Sequence, residues 1–213
     1  MNDIIRRLAR IPTADLCDLL GPVALDSGLR PVVPGSFAGP ALTIRVPPGD
    51  NLMVHAALAD VRPGDVVMVD TGGNTDRAVF GALTVQYLQK RGAAGLVVDG
   101  AVRDTADLRA IGLPVRARAV TPNGPTRCRI GAISVSVQVG GRTVRPGDLV
   151  VGDGDGVVCL SAETAAAVLE QAEDRVRRED DLLRHIRETG EFPRPWLSGA
   201  LAEAEEKSAA EEI

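Results

Sequence analysis

Two short aliphatic runs, DVVMVD at residues 65–70 and GLVVD at residues 95–99, restrict this chain more than any other feature. Each is strand-length, has no interior polar residue and is bounded by Gly, Pro or Asp, the pattern of a strand buried on both faces. Residues 76–91 between them read as a helix stopped by Gly92 at its C′ position. Strand, helix and strand in that order imply a parallel crossover. The same alternation surrounds this unit. Residues 41–46 (ALTIRV) alternate as a strand, 51–60 read as a helix, 105–111 as a short helix and 114–120 as a strand.

Beyond residue 120 the alternation stops. Residues 132–139, 143–145, 149–152 and 157–160 read as strands joined by tight Gly-rich turns. Ser161 then caps a long helix reaching about Glu188. Crossover units followed by a meander predict an α/β protein of stacked sheets flanked by helices. Residues 3–20 read as one or two short helices, with Thr13 as an N-cap after Pro12. Residues 1–197 are expected to form a single domain, and the Ala/Glu-rich acidic tail 198–213 a frayed helix or disorder. The tetrapeptide Arg-Pro-Gly-Asp occurs at residues 62–65 and 145–148, each time before an aliphatic run. Pro-Gly at the centre of a turn suits type II geometry, so the echo reads as two similar strand entries.

Composition narrows the function. Aromatics make up 2% of the chain against 45% hydrophobic residues, so the core is aliphatic. A net charge of -5 gives no basic footprint for nucleic acid or an anionic membrane. No run reaches transmembrane length and the N-terminus lacks a signal-peptide pattern. Cys17, Cys128 and Cys159 form neither a disulfide framework nor a zinc pattern, which suits a reducing cytosol. The only lysines are Lys90 and Lys207. Neither sits in an apolar segment that would lower its pKa, which argues against a Schiff-base mechanism.

Chemistry concentrates at residues 92–107, GAAGLVVDGAVRDTAD. A buried strand ends at Asp99-Gly100, and a loop carries Arg103-Asp104 into a helix. Polar groups beyond the carboxyl end of a parallel strand are where α/β proteins place ligand sites. Arg103 offers a planar fork for a carboxylate or enolate oxygen, and Asp104 one oxygen for a hydrated Mg²⁺. Spacing alone equally permits a surface loop with Asp104 near an N-cap. Upstream, Thr71-Gly72-Gly73-Asn74 follows the other buried strand. A helix starting close to Gly81 would offer free N–H groups to an anion such as a pyruvate carboxylate. The same glycines also suit close packing. His55, on an apolar helix, reads as a satisfied, partly buried histidine, and the acids of the last helix, Glu179 among them, as a solvated face.

In order along residues 39–160, the blocks GPALTIRVPPGDNLMVHAAL, RPGDVVMVD, GLVVDGAVRD, GLPVRARAVTP and GGRTVRPGDLVVGDGDGVV resemble the RraA-like family. That family includes the 4-hydroxy-4-methyl-2-oxoglutarate and 4-carboxy-4-hydroxy-2-oxoadipate aldolases. The resemblance implies an αββα sandwich similar to the swivelling phosphohistidine-type domain, assembled as a homotrimer or homohexamer with active sites between subunits. It implies a divalent metal, Mg²⁺ or Mn²⁺, on Asp104, and Arg103 on the 2-oxo oxygen of a small oxo-acid substrate. The backbone at Gly81, Leu83 and Thr84 would take the pyruvyl carboxylate, and Glu179 would reach a neighbouring subunit's site. Oxaloacetate decarboxylation passes through the same pyruvate enolate and belongs to the same expectation.

One position departs from the pattern. Members with aldolase activity resemble a sequence with an acidic residue after the glycine matched by Gly81, and here that residue is Ala82. The alternative is a non-catalytic regulator of a ribonuclease, like other RraA proteins. The intact Arg103-Asp104 pair leans toward catalysis. A quinone methyltransferase needs a Gly-rich loop between strand and helix. The only such run, Gly152 to Gly156, precedes a strand instead.

Overall fold

The computed structural model describes residues 2–211. Residues up to Glu173 form one compact unit, and those from Asp174 a second. The first unit begins with α1 (Asn2–Leu8), α2 (Thr13–Leu20), β1 (Arg30–Val33) and β2 (Phe37–Arg45). Next, α3 (Leu52–Ala57) tightens into a 3-10 turn at Leu58–Asp60 before β3 (Val66–Asp70). Then come β4 (Ala78–Phe80), α4 (Ala82–Lys90), β5 (Gly95–Val102), α5 (Thr105–Ile111) and β6 (Val115–Val120). Short strands follow: β7 (Ala132–Ile133), β8 (Val137–Val139), β9 (Arg142–Val144), β10 (Leu149–Gly152) and β11 (Val157–Leu160). α6 (Ala162–Thr189) leaves the first unit, and α7 (Leu197–Glu211) lies in the second.

The sheet runs β1-β6-β5-β3-β2-β10-β11, with β4 added beside β5 and β7 beside β2. Its centre, from β6 to β2, is parallel, as the crossovers require. The flanks are antiparallel. β2 joins the two parts, pairing with β10 through Phe37 to Pro40 and with β3 through Ala41 to Arg45.

Period-two alternation divides the core. Leu42, Ile44, Val67, Val69, Leu96 and Val98 cluster with Val54, Val85, Leu88 and Leu108, which come from α3, α4 and α5. On the opposite face Ala41, Val66, Met68 and Val97 meet Phe37, Val150, Val157 and the separate β8–β9 hairpin. Leu149, Val151, Val158 and Leu160, on the far side of β10 and β11, are buried too. There α2 packs on β11 and α1 on β2, while α6 buries Ala165, Leu169 and Ala172. The result is the α/β architecture that the sequence predicts, helices outside two β layers.

Strands buried on both faces cannot set their register by hydrophobic pattern alone, because a one-residue slip exchanges one apolar face for another. The Arg-Pro-Gly-Asp turns supply a fixed entry. In each, the Asp carboxylate accepts the Arg backbone N–H at 2.8 Å, from Arg62 to Asp65 and from Arg145 to Asp148. Gly64 and Gly147 take φ of 89° and 83°, the left-handed geometry that type II turns demand of this position.

Several sequence expectations need correction. The helix predicted over 76–91 begins only at Ala82, because Ala78, Val79 and Phe80 are buried as β4 against β5. Favourable strand residues with a sheet edge to join override helical periodicity there. The strand at 95–99 continues to Val102, so Arg103 follows it with no intervening loop. The predicted strand 132–139 breaks at Ser134, whose φ is 56°, into β7 and β8 on different partners. Thr13 is not an N-cap. Pro12 holds that position, and Thr13 instead donates its N–H and hydroxyl to Asp153, each at 2.7 Å.

Ser161 does cap α6, its hydroxyl accepting the Thr164 N–H at 3.0 Å. The tail is helical through Glu211, and its last two residues lie outside the described ones. Among the described residues no helix is long and apolar enough to cross a membrane.

Candidate active site

Arg103 and Asp104 leave the carboxyl end of β5 where β4 lies alongside. The Arg103 N–H donates to the Phe80 carbonyl at 3.0 Å, which fixes the chain direction just before the charged pair. Asp104 adopts φ 60°, ψ 42°, a left-handed conformation that Asp tolerates better than most residues but that still costs energy. It occupies the N-cap position of α5, yet its carboxylate makes no bond to that helix. Instead Oδ2 accepts the Ala82 N–H at 3.0 Å, at the first residue of α4, with Arg103 Nε 3.5 Å away. The left-handed turn thus directs the carboxylate out of its own helix and onto the start of another. Both side chains keep more than a third of their surface exposed, at 39% and 36%, so a ligand can reach them.

α4 begins as the sequence suggested. Gly81 is its N-cap, in an extended conformation open to any residue. Its lack of a side chain is nevertheless required, because a Cβ would stand 2.5 Å from Asp104 Oδ2 and 3.1 Å from Arg103 Nε. The Thr84 hydroxyl accepts the Gly81 N–H at 3.2 Å and donates to the Gly81 carbonyl at 2.9 Å, which locks the turn. Leu83 and Thr84 carry orphan N–H groups of the first helical turn, pointing where the helix dipole favours an anion. Leu83 itself is 89% exposed.

These groups line one cavity of about 130 Å³, together with Asn51, His55, Pro125 and Arg127. That is smaller than the roughly 300–1,000 Å³ of a drug-sized pocket and suits a small acid. Asn51 is buried, donating to the Val79 carbonyl at 3.3 Å and accepting Arg127 Nε at 3.3 Å. Its amide nitrogen also lies 3.4 Å from His55 Nε2. Desolvation of the imidazole, and secondarily the charge of Arg127, hold the His55 pKa below its ordinary value, so the ring is neutral at pH 7.

The Arg127 loop is pinned from below. Asp50, fully buried, accepts the Cys128 N–H and Thr126 hydroxyl at 2.8 Å, Leu52 N–H at 2.9 Å and Arg129 N–H at 3.3 Å. Burial pushes this carboxyl upward, but those donors outweigh it and leave the pKa below the usual carboxylate range.

The structure therefore brings together Gly81, Leu83, Thr84, Arg103 and Asp104. Glu179 is not among the lining residues of the cavity. It lies on α6 in the second unit, paired with Arg175 at 2.9 Å. His55 is an exposed residue on the cavity wall, where the sequence suggested a partly buried one. Asn51 and Arg127 were not foreseen. They are 76 residues apart and meet only through the fold, although the DNL after a Pro-Pro-Gly turn does mark a helix start. The Thr71–Asn74 turn does not line the cavity. Its Thr71 hydroxyl bonds the Asp99 carbonyl at 2.6 Å and braces two strand ends. Asp99 is likewise structural, held by Arg118 and the Gly140 N–H.

Among the described residues no three His, Cys, Asp or Glu side chains cluster to cage a metal. Mg²⁺ commonly retains several waters and takes one or two carboxylates, so Asp104, whose Oδ1 accepts no hydrogen bond from the described residues, is a compatible donor.

A small α/β pocket with a guanidinium–carboxylate pair at a strand end, facing a helix N-terminus, defines a class of anion-binding site. The chain belongs to the RraA-like family, described as Aldolase/RraA, whose model matches residues 13–159. A relative from Halalkalibacterium halodurans, named "Putative 4-hydroxy-4-methyl-2-oxoglutarate aldolase", is 37% identical over 175 residues, covering 81% of this chain and 83% of that protein. Among solved structures, the RNA-processing inhibitor RraA from Thermus thermophilis is 35% identical with a TM-score of 0.66, covering 70% of this chain and 92% of that one. Streptomyces coelicolor RraAS2, described as an unusual member of the RNase ES inhibitor RraA family, is 30% identical with a TM-score of 0.78, covering 88% and 98%.

Proposed function

We propose that this protein is a divalent-metal-dependent lyase that cleaves a 4-hydroxy-2-oxo acid, of the 4-hydroxy-4-methyl-2-oxoglutarate type, to pyruvate, and decarboxylates oxaloacetate as a second activity. The observation that carries the proposal is the left-handed Asp104, which spends backbone strain to place its carboxylate beside Arg103 and the start of α4.

The orphan N–H groups of Leu83 and Thr84 receive the C1 carboxylate. Arg103 donates to the 2-oxo oxygen. The 4-hydroxyl passes its proton to water, C4 becomes the carbonyl of the second product as the C3–C4 bond breaks, and the electron pair of that bond passes to the 2-oxo oxygen as a pyruvate enolate, which water then protonates at C3. Arg103 meets more negative charge in the transition state than in the ground state, so it lowers the barrier and not only KM. A Mg²⁺ or Mn²⁺ ion held by Asp104 would add Lewis-acid stabilisation at the same oxygen.

Ala82 has no carboxylate to order water, so turnover is expected to be slow. In a homotrimer or homohexamer, Glu179 of a neighbouring copy would complete the acidic side of the site. The three cysteines are unpaired, which favours a cytoplasmic setting.

The test is pyruvate release from 4-hydroxy-4-methyl-2-oxoglutarate and oxaloacetate, with Mg²⁺, Mn²⁺ or EDTA, in wild type, Arg103→Ala and Asp104→Ala. Metal-dependent release, lost in both variants, is the expected result. Release that is absent from wild type, or unchanged in the variants, removes the proposal and leaves ribonuclease inhibition as the reading to assay.

A further inference from the structure

His55 lines the cavity, and the proposed cleavage does not use it. It lies one turn after Asn51, the N-cap of α3, and its backbone N–H donates to the Asn51 carbonyl at 3.3 Å. The buried Asn51 amide dictates which ring nitrogen carries the proton. Arg127 Nε can only donate, so the oxygen that it meets at 3.3 Å is Asn51 Oδ1. The Val79 carbonyl can only accept, so the atom 3.3 Å from it is Asn51 Nδ2. With both ends of the amide fixed, the second Nδ2 proton faces His55 Nε2 at 3.4 Å, and Nε2 must accept it. The proton of the neutral ring then sits on Nδ1, which has no partner among the described residues. A second proton, on Nε2, would oppose the Asn51 N–H and add charge beside Arg127, in keeping with the lowered pKa.

We infer that His55 is a catalytic hydrogen-bond donor, whose Nδ1–H, in the tautomer that Asn51 dictates, donates to the oxygen on C4 of a 4-hydroxy-2-oxo acid. This deepens the proposed function and rests on it. The first turn of α4 takes the C1 carboxylate and Arg103 the 2-oxo oxygen, so the reacting oxygen still without a donor is the one on C4. That oxygen gains negative charge as its proton leaves for water, and Nδ1–H stabilises the charge without itself transferring a proton. In this tautomer Nδ1 already bears a proton and the Nε2 lone pair faces the Asn51 N–H, so His55 is not the base. Asn51 is its positioning residue, acting through the tautomer.

Oxaloacetate decarboxylates through the same enolate but has no hydroxyl at C4, so it separates this contact from the rest of the site. The experiment compares pyruvate release from 4-hydroxy-4-methyl-2-oxoglutarate and from oxaloacetate, under Mg²⁺, in wild type, His55→Phe and His55→Asn. Losing one donor to a developing oxyanion costs roughly 100- to 1,000-fold in kcat. His55→Phe is expected to lose about 100-fold on the 4-hydroxy acid and at most about tenfold on oxaloacetate. His55→Asn, which keeps an amide N–H close to the Nδ1 position, is expected to fall between wild type and His55→Phe. Long-range ¹H–¹⁵N NMR reads the tautomer without substrate, and His185→Gln tells the chain's two histidines apart. At about pH 7.5 wild type is expected to show Nδ1–H, and Asn51→Ala the Nε2–H form that free imidazoles favour. An Nε2–H ring in wild type, equal losses on both substrates, or no loss on either overturns the inference and leaves the lyase reading intact. Wild type that releases no pyruvate from the 4-hydroxy acid removes both. A melting curve for each variant separates loss of the donor from loss of fold.

Discussion

Replacing Gly81 by Ala tests the site with little disturbance elsewhere. The Gly81 backbone is extended, at φ -151° and ψ -170°, so alanine adopts it without strain. The added methyl would lie 2.5 Å from Asp104 Oδ2 and 3.1 Å from both Arg103 Cγ and Nε. Ordinary contacts begin near 3.4 Å, so the carboxylate must retreat by about an ångström, and it takes the 3.0 Å bond from Ala82 with it. A misplacement of roughly 1 Å in a catalytic group costs on the order of 100-fold in rate. Exchanging Gly for Ala at an N-cap costs stability of only about 0.5–1 kcal/mol, or roughly 1–4 °C in Tm for a chain of this size. Pyruvate release under saturating Mg²⁺, set beside a thermal melt, reads both quantities. A variant that melts within a few degrees of wild type and has lost about two decades of kcat/KM supports the geometry. An active Gly81→Ala protein refutes the claim that the Asp104 position matters.

Two further outcomes follow from buried groups. Asp50→Asn leaves buried N–H donors short of an acceptor, and urea unfolding at neutral pH is expected to show a loss of roughly 1–3 kcal/mol. Because the folded pKa of Asp50 lies below its ordinary 3.8, its contribution is full above that value and fades as pH falls toward the folded pKa. The stability gap between wild type and Asp50→Asn should therefore be flat above about pH 5 and shrink below about pH 4. For the cysteines, burial, and secondarily Asp148, push the Cys159 thiol up to about 12, whereas Cys128 is exposed. Iodoacetamide at pH 8 should label Cys128 and spare Cys159 until urea is added, which peptide mass spectrometry reads directly.

The sequence made the central sheet legible because its strands are aliphatic runs with turn chemistry at both ends. β10 and β11, like α5, fall where pattern and capping place them. β4 was hidden because its two strand-forming residues, Val79 and Phe80, adjoin a helix, and only pairing with β5 decides their state. The half of the site built from Gly81 to Thr84 and from Arg103 and Asp104 was also readable, since it consists of two contiguous segments. The other half was not. Arg127 acquires its place from Asn51 across 76 residues, a contact with no local signature. No sequence pattern reports that Asp104 turns left-handed and away from its own helix.

The central claim is that Arg103 and Asp104 stabilise a pyruvate enolate, and this can be measured without the natural substrate. Pyruvate in D₂O with Mg²⁺ exchanges its methyl protons only by way of that enolate, and proton NMR follows the loss of the methyl signal. The account predicts protein-catalysed exchange in wild type that disappears in Arg103→Met and Asp104→Asn. Folded wild type that gives no exchange above the buffer rate, or variants that exchange as fast as wild type, would contradict it.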